Sequence, residues 1–164
     1  MKLTTEQWLH EAWRLLTPLV EGAIASSFPH SPGDTAELFP EPTKIQLSVG
    51  YWPNIPRKEQ PLGYCADPTD CKDGETYTVF ISPELAGDHR HTTLVLATLA
   101  HEMIHAWITN GHGHNRRFQM VAHELGFRKS YTCVSLKTTS PKLLRELRRI
   151  GKKLGPCPWK PLKP

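Results

Sequence analysis

The sequence predicts an α+β domain in which a small twisted sheet packs on one central helix. The first observation is a stretch at 92–110 that is apolar nearly all round, which is typical of a helix buried inside a domain. The second is that residues 44–52 and 76–82 alternate apolar and polar side chains, as half-buried strands do, with a shorter strand expected at 62–66. The third is helical periodicity near both ends of the chain, which adds an N-terminal and a C-terminal helix.

The terminal helices also carry capping signals. The N-terminal helix is expected at 4–22, with a threonine cap at its start and Gly22 near its end. The C-terminal helix is expected at 140–153, because Ser140 is a suitable N-cap and Pro141 favours the first helical position. The other predicted elements are a helix at 116–125, a short strand at 131–136 and irregular segments at 23–43 and 155–164.

Length and composition exclude several classes of protein. With 164 residues, the chain predicts one domain at 1–136 followed by a basic helix and Pro-rich tail at 137–164. No window reaches the roughly 18 consecutive apolar residues of a membrane span. Polar residues interrupt positions 1–20, so a signal peptide is not expected, and the predicted location is the cytoplasm without secretion.

The four cysteines favour free thiols. None of them forms a CxxC pair, which excludes a zinc ribbon in this sequence. In the cytoplasm thiols stay reduced, so a disulfide between Cys65 and Cys71 is expected only if the chain is secreted after all.

Basic residues are concentrated near the C-terminus. Residues 137–164 hold nine Lys or Arg and one acidic residue, a charge of +8, whereas the other 136 residues hold 11 basic and 15 acidic groups, a charge of −4. Such asymmetry predicts a polyanionic partner, and we expect DNA; a solvated helix that serves only solubility is the alternative. Spacings of three and four place five cations in one stripe on the C-terminal helix: Lys142, Arg145, Arg149, Lys152 and Lys153.

The central helix contains an HExxH motif, His101-Glu102-Met103-Ile104-His105. Residues i and i+4 of a helix lie about 40° apart on one face, so His101 and His105 can bind one tetrahedral zinc ion. Glu102 can then reach a water at the metal without binding the metal itself. The alternative is a hydrogen-bonded pair of core histidines beside a buried glutamate, without a metal.

A zinc site of this kind needs a third protein ligand and an open fourth position. The sequence Gly111-His112-Gly113-His114 follows the helix, and its glycines allow the chain to turn back over it. His112 and His114 are both candidates for the third ligand.

These motifs together resemble the SprT-like family, which includes the Spartan DNA–protein crosslink proteases. The resemblance covers residues 44–127 and rests on HEMIHAW at 101–107, on His114 four positions before Phe118, on Gly63-Tyr64-Cys65 and on the segment 79–85. Asn115 stands where the family usually has glycine. The resemblance implies a minimal zincin-like fold and one Zn²⁺ per chain, and it favours His114 over His112.

The resemblance also implies a function. The resemblance implies that His101, His105 and His114 bind the zinc ion and that Glu102 is the general base. The implied activity is that of a metalloendopeptidase that cleaves DNA-associated proteins with little sequence preference. A monomer is expected, as is an extended substrate added to strand 76–82 if that strand forms the sheet edge. Three other interpretations stay open at this point: a non-catalytic DNA-binding adaptor with a structural zinc, a zinc-dependent nuclease, and a peptidase unrelated to DNA.

Overall fold

The structure is a computed structural model that describes residues 3–29, 44–53, 55–86, 89–108, 113–128, 131 and 134–160. Within these residues, four α-helices accompany one three-stranded sheet, which confirms the predicted α+β class. In chain order the elements are α1 (Thr5–Ser27), β1 (Ile45–Val49), β2 (Gly63–Ala66), β3 (Tyr77–Ile81), α2 (His89–Trp107), α3 (Arg116–Leu125) and α4 (Pro141–Leu154).

The sheet is mixed, with strand order β1-β3-β2. β3 pairs parallel to β1, with Leu47 opposite Val79, and antiparallel to β2, with Cys65 opposite Val79. Strand 76–82 could bind an extended substrate only at the sheet edge, and that condition is not met. The physical reason is that the apolar residues Val79 and Ile81 are fully buried, and a central strand hydrogen-bonded on both sides buries its side chains most completely.

The central helix is α2, as the sequence predicts. Five of its large apolar side chains are completely buried: Val95, Leu96, Leu99, Met103 and Ile104. It packs against α1, α4 and the sheet, so it has no wholly solvent-exposed face along most of its length. The polar residues of this helix, among them His101 and Glu102, are therefore held inside the domain.

α1 is longer than the sequence predicts. It begins with a capping box between Thr4 and Gln7, but it continues past Gly22 to Ser27. Ala23 and Ile24 extend its buried face, and their burial outweighs the roughly 1 kcal/mol that a helical glycine costs. The predicted irregular segment at 23–43 is thus wrong for its first five residues, and residues 30–43 lie outside the described chain.

The segment after α3 forms turns where a strand was expected. α3 has the predicted bounds and ends at Gly126, whose φ of 115° is a left-handed conformation that suits glycine. The described residues of 131–136 form no strand. Instead a single bridge pairs Phe127 with Thr139, next to a short 3₁₀ turn at Leu136–Thr138.

α4 contributes to the same core as the preceding elements. Its apolar stripe, Leu143, Leu147 and Ile150, is buried in the cluster that also contains the α1 and α2 residues. The Trp8 indole, from α1, donates to the Gly155 carbonyl at 3.4 Å. Residues on both sides of position 136 therefore share one hydrophobic core.

Two smaller findings bear on the sequence predictions. None of the helices in the described residues combines the length and apolarity that a membrane crossing requires. Cys65, Cys71 and Cys157 are free thiols, and Cys133 lies outside the described residues.

Candidate metal centre

Three histidine side chains meet between α2 and the turn before α3. His101 and His105 lie on successive turns of α2, and His114 follows the helix in the chain. The Nε2 atom of His114 lies 3.0 Å from Nε2 of His101 and 3.3 Å from Nε2 of His105. The candidate ligand atoms of all three residues lie within 4.8 Å of one another. The geometry therefore brings together the three histidines that the resemblance implies.

The chemistry of these donors fits a zinc ion. Burial, and to a lesser degree the neighbouring histidines, lower the pKa of His101 to about 2; burial and then His114 lower the pKa of His105 to about 4. Both imidazoles are therefore neutral and have a lone pair to donate. Nitrogen ligands about 2.0–2.1 Å from one tetrahedral zinc ion lie roughly 3.3 Å apart, which matches the observed separations. Three protein ligands also leave a fourth position for water or substrate.

The turn that returns His114 to the helix is stabilised by its neighbours. Gly113 has a φ of 100°, a left-handed conformation that other residues rarely adopt. Asn115 is the N-cap of α3, because its Oδ1 accepts a hydrogen bond from the Phe118 amide at 3.0 Å. Asn115, which stands where the family usually has glycine, therefore serves as a helix cap. Gln119 Nε2 donates to the His114 carbonyl at 2.7 Å.

The other candidate for the third ligand is His112. Residues 109–112 lie outside the described part of the chain, so the structure gives a geometry for His114 and none for His112. The choice of His114 as third ligand remains a prediction, supported by the convergence of its ring with the two on α2.

Phe118 forms an apolar wall beside all three histidines. Its ring stacks on His105 with centroids 4.3 Å apart, and it meets His101 at 4.9 Å and His114 at 4.7 Å edge to face. Only 1% of Phe118 is exposed. In the sequence, Phe118 is notable only for its spacing from His114. In the structure, its ring packs against all three imidazoles and therefore restricts the orientation of each.

Glu102 is buried on α2 beside this cluster. Only 5% of it is exposed, and burial raises the pKa of its carboxyl to about 8, although the Cys65 backbone amide donates a hydrogen bond to it and lowers the pKa in part. A carboxyl with a pKa in this range can both accept and release a proton near neutral pH.

The histidines and Glu102 line one cleft of about 460 Å³. One wall is α2; the facing wall is β2 and the segment before it. The cleft is lined by Gln60, Pro61, Leu62, Gly63, Tyr64, Cys65, Asp67, Tyr77, Thr98, His101, Glu102, His105, Ile108, Gly113, His114 and Val134. A peptide-sized ligand would therefore lie between an edge strand and the three histidines.

Sequence reasoning missed the contact between β2 and Glu102. Gly63 lies directly against the Glu102 side chain, and Cys65 donates its amide to the carboxylate. A glycine inside a short strand is a known signal of close approach by another group, although it does not say which group approaches.

The α3 histidine and the predicted basic stripe lie elsewhere on the surface. His123 is exposed on α3 and lines a separate hollow with Ser26 and Ser27, so it does not line the cleft. The predicted basic stripe is exposed on α4, and none of its cations lines the cleft either. Arg149 of this stripe pairs with Glu146 at 2.9 Å. The five stripe residues are Lys142, Arg145, Arg149, Lys152 and Lys153.

Comparison with known proteins agrees with this geometry. The model of the SprT-like family matches residues 50–140, which include β2, β3, α2, α3 and the three histidines. No curated protein and no solved structure matches the chain significantly.

Proposed function

The chain belongs to the SprT-like family, and from this premise we propose that it is a zinc-dependent metalloendopeptidase. The observation that carries the proposal is the convergence of three imidazoles, with a buried carboxyl beside two of them on α2. In this proposal the fold is a minimal zincin-like domain with one Zn²⁺ per chain.

Four polar residues of the cleft have roles in the proposed peptide hydrolysis. His101, His105 and His114 would hold the zinc ion, which when bound supplies a Lewis acid that polarises the scissile carbonyl. Glu102 accepts a proton from the attacking water, whose oxygen forms the new bond to the carbonyl carbon. The same carboxyl then delivers that proton to the leaving amine as the C–N bond breaks.

The sheet edge that faces the cleft is β2. In an antiparallel pair the backbone groups of alternate residues point toward the partner strand. The Ser82 amide donates to the Leu62 carbonyl across the pair, so the backbone groups of Gly63 and Cys65 point away from β3. The Cys65 amide is engaged by Glu102, so the groups left for a substrate are those of Gly63 and the Cys65 carbonyl. We propose that an extended substrate adds to β2, with its side chains in the cleft. Strand 76–82, which could have this role only at the sheet edge, lies in the middle of the sheet.

The basic face of α4 is the feature that leads us to propose DNA-associated proteins as the substrates. All five stripe residues are exposed, and an exposed cationic helix binds phosphates without reading bases. The enzyme would then cleave proteins held on DNA with little preference for their sequence. A monomer located in the cytoplasm is part of the same proposal.

The test is a protease assay with and without DNA, in the presence and absence of a chelator. We expect cleavage that the chelator abolishes and zinc restores. Glu102→Gln keeps the shape of the side chain and removes proton transfer, so it should retain zinc and lose about 10²–10⁴-fold in rate. Glu124→Gln, an exposed glutamate on α3, is the matched control and should cleave at the normal rate.

Two results would replace the proposal. Zinc bound to a protein that cleaves no protein substrate, with DNA affinity intact, would indicate the adaptor. Zinc-dependent cleavage of the nucleic acid itself, abolished in Glu102→Gln, would indicate the nuclease.

A further inference from the structure

We propose that Gly63 is a positioning residue for Glu102: the absence of a side chain at this point of β2 creates the space in which the carboxylate is seated. The inference rests on the proposed function for the role of Glu102, but its geometry is independent of that role. Nothing in the sequence motif around Glu102 identifies Gly63, which lies 39 positions earlier in the chain.

The space is defined by short distances. A Cβ placed on Gly63 would lie 2.7 Å from Glu102 Oε1 and 3.0 Å from Glu102 Cγ. Separations this small force one partner to move. Because Glu102 is buried and its helix is packed on several sides, the atom group with most freedom is the carboxylate itself. An alanine at Gly63 would therefore displace the carboxylate from the position it holds above the cleft.

The same strand also holds the carboxylate through a hydrogen bond. The Cys65 amide, two residues further along β2, points away from β3 and donates to Glu102. Gly63 supplies the room and Cys65 supplies the donor, so β2 sets both the position and the orientation of the carboxylate. A misplacement of about 1 Å in a reacting group can reduce rate by roughly 10²-fold.

Thr98 forms the floor of this space. It lies one helical turn before Glu102 on α2 and is 1% exposed. Its Cγ2 would lie 2.5 Å from a Cβ on Gly63. The methyl group is thus the part of this side chain that packs under β2, and within the described residues the Thr98 hydroxyl has no hydrogen-bond partner. Thr98→Ser would remove that methyl group and relieve one of the two clashes, leaving the clash with Glu102.

A second glycine of the sheet provides a matched control. Gly50 follows β1 at the opposite edge, and a Cβ there would lie 3.6 Å from Phe80 Cδ1, an ordinary contact. Gly50→Ala should therefore leave both folding and activity near those of the original protein.

The experiment compares Gly63→Ala, Gly63→Ala with Thr98→Ser, and Gly50→Ala by zinc content, thermal unfolding and kinetics on an unfolded protein substrate. We expect Gly63→Ala to bind one equivalent of zinc, to unfold at a lower temperature, and to lose about tenfold or more in kcat with KM within about twofold. Adding Thr98→Ser should recover part of the lost unfolding temperature, because the clash with Glu102 remains, and should leave kcat low. Recovery of kcat together with the unfolding temperature would overturn the proposal, since Gly63 would then serve the fold alone.

A stability measurement tests the contact without any activity. Glu102→Ala removes the Cγ and Oε1 atoms that a Cβ on Gly63 would meet. Gly63→Ala should therefore lower the unfolding temperature of the metal-free protein less in the Glu102→Ala background than in the original one. Equal decreases in both backgrounds would refute the contact. If the original protein shows no proteolysis, the proposed function fails while this comparison still decides the inference.

Discussion

The Gln119 side chain holds the backbone of His114, because its amide nitrogen donates to the His114 carbonyl at 2.7 Å. Gln119 lies in the first turn of α3, and His114 precedes that helix by two residues. A candidate metal ligand that comes from a turn is thereby tied to a regular element. His101 and His105 need no such tie, since α2 itself fixes their backbones.

We expect Gln119→Leu to weaken zinc binding by about fivefold. The substitution places an apolar side chain at this position and removes a hydrogen bond worth about 1 kcal/mol. Competition with a chromophoric chelator measures the affinity. Met120→Leu, at the next and also exposed position, is the control. An unchanged affinity in Gln119→Leu would show that the turn holds His114 without this bond.

The identity of the third ligand can be tested at two neighbouring positions. The purified protein should contain about one zinc per chain, and both His105→Ala and His114→Ala should lose it, because three ligands are the minimum for a site of this type. His112→Ala should retain zinc. Metal analysis of the three variants decides, and loss of zinc in His112→Ala with retention in His114→Ala would transfer the role to His112.

DNA binding should depend on the exposed cations of α4. Because Leu143, Leu147 and Ile150 belong to the core, deletion of this helix would destabilise the protein, so the charges should be replaced instead. The variant changes the five stripe residues to Gln and should bind duplex DNA more weakly. The dependence of log affinity on log salt should also become shallower, by about 0.9 for each DNA phosphate that these cations neutralise in the original protein. Binding titrations at two salt concentrations measure both effects.

A single substitution refines the DNA experiment. Glu146 pairs with Arg149, so part of the cationic face is neutralised in the protein. Glu146→Gln should therefore strengthen DNA binding, most clearly at low salt, where exposed charges act at longer range.

The stripe variant needs controls for the loss of positive charge in general. Lys58→Gln and Lys72→Gln, on the segments flanking β2, are these controls. Equal weakening by these controls and by the stripe variant would remove α4 from the DNA interface.

Stability should fall in alkaline solution partly because of Cys157. This thiol is buried, and burial raises its pKa from the usual 9.0 to about 11, while Thr92 Oγ1 lies 3.7 Å from its sulfur. Above pH 9 the unfolded chain releases the proton and the folded protein keeps it, so the free energy of unfolding decreases as pH rises toward 11. The decrease approaches about 1.4 kcal/mol per pH unit.

Urea unfolding between pH 8.5 and 10 measures this effect. Cys157→Ala removes the titrating group, so its stability should depend less on pH than that of the original protein, whatever the constant cost of the substitution. Parallel pH profiles for the two proteins would contradict the buried position of the thiol.

Local periodicity accounts for the parts of the fold that the sequence predicts. α3 has the predicted bounds, and Gly126 provides the stop signal that the sequence contains; the N-cap role of Asn115 is seen only in the structure. The two α2 histidines lie together because the helical repeat alone places them so. α1 shows the limit of such rules: Gly22 resembles a stop signal, and the burial of Ile24 against the core overrides it.

Contacts between distant segments account for the rest. Nothing in Tyr77–Ile81 says that this strand is central, since alternation is the same at an edge and in the middle of a sheet. The HExxH motif likewise does not reveal that Gly63 packs against Glu102. These features depend on which elements the fold brings together, and a single sequence does not record that.

The bond between Glu102 and Cys65 joins two parts of the protein that are expected to open on very different timescales. α2 is enclosed by other elements, so its amides should exchange with deuterium only when the whole domain unfolds. β2 is a four-residue edge strand with one neighbour, and such strands open locally at lower free energy. Exchange at the Cys65 amide therefore reports how often the carboxylate loses its donor while the helix beneath it remains intact.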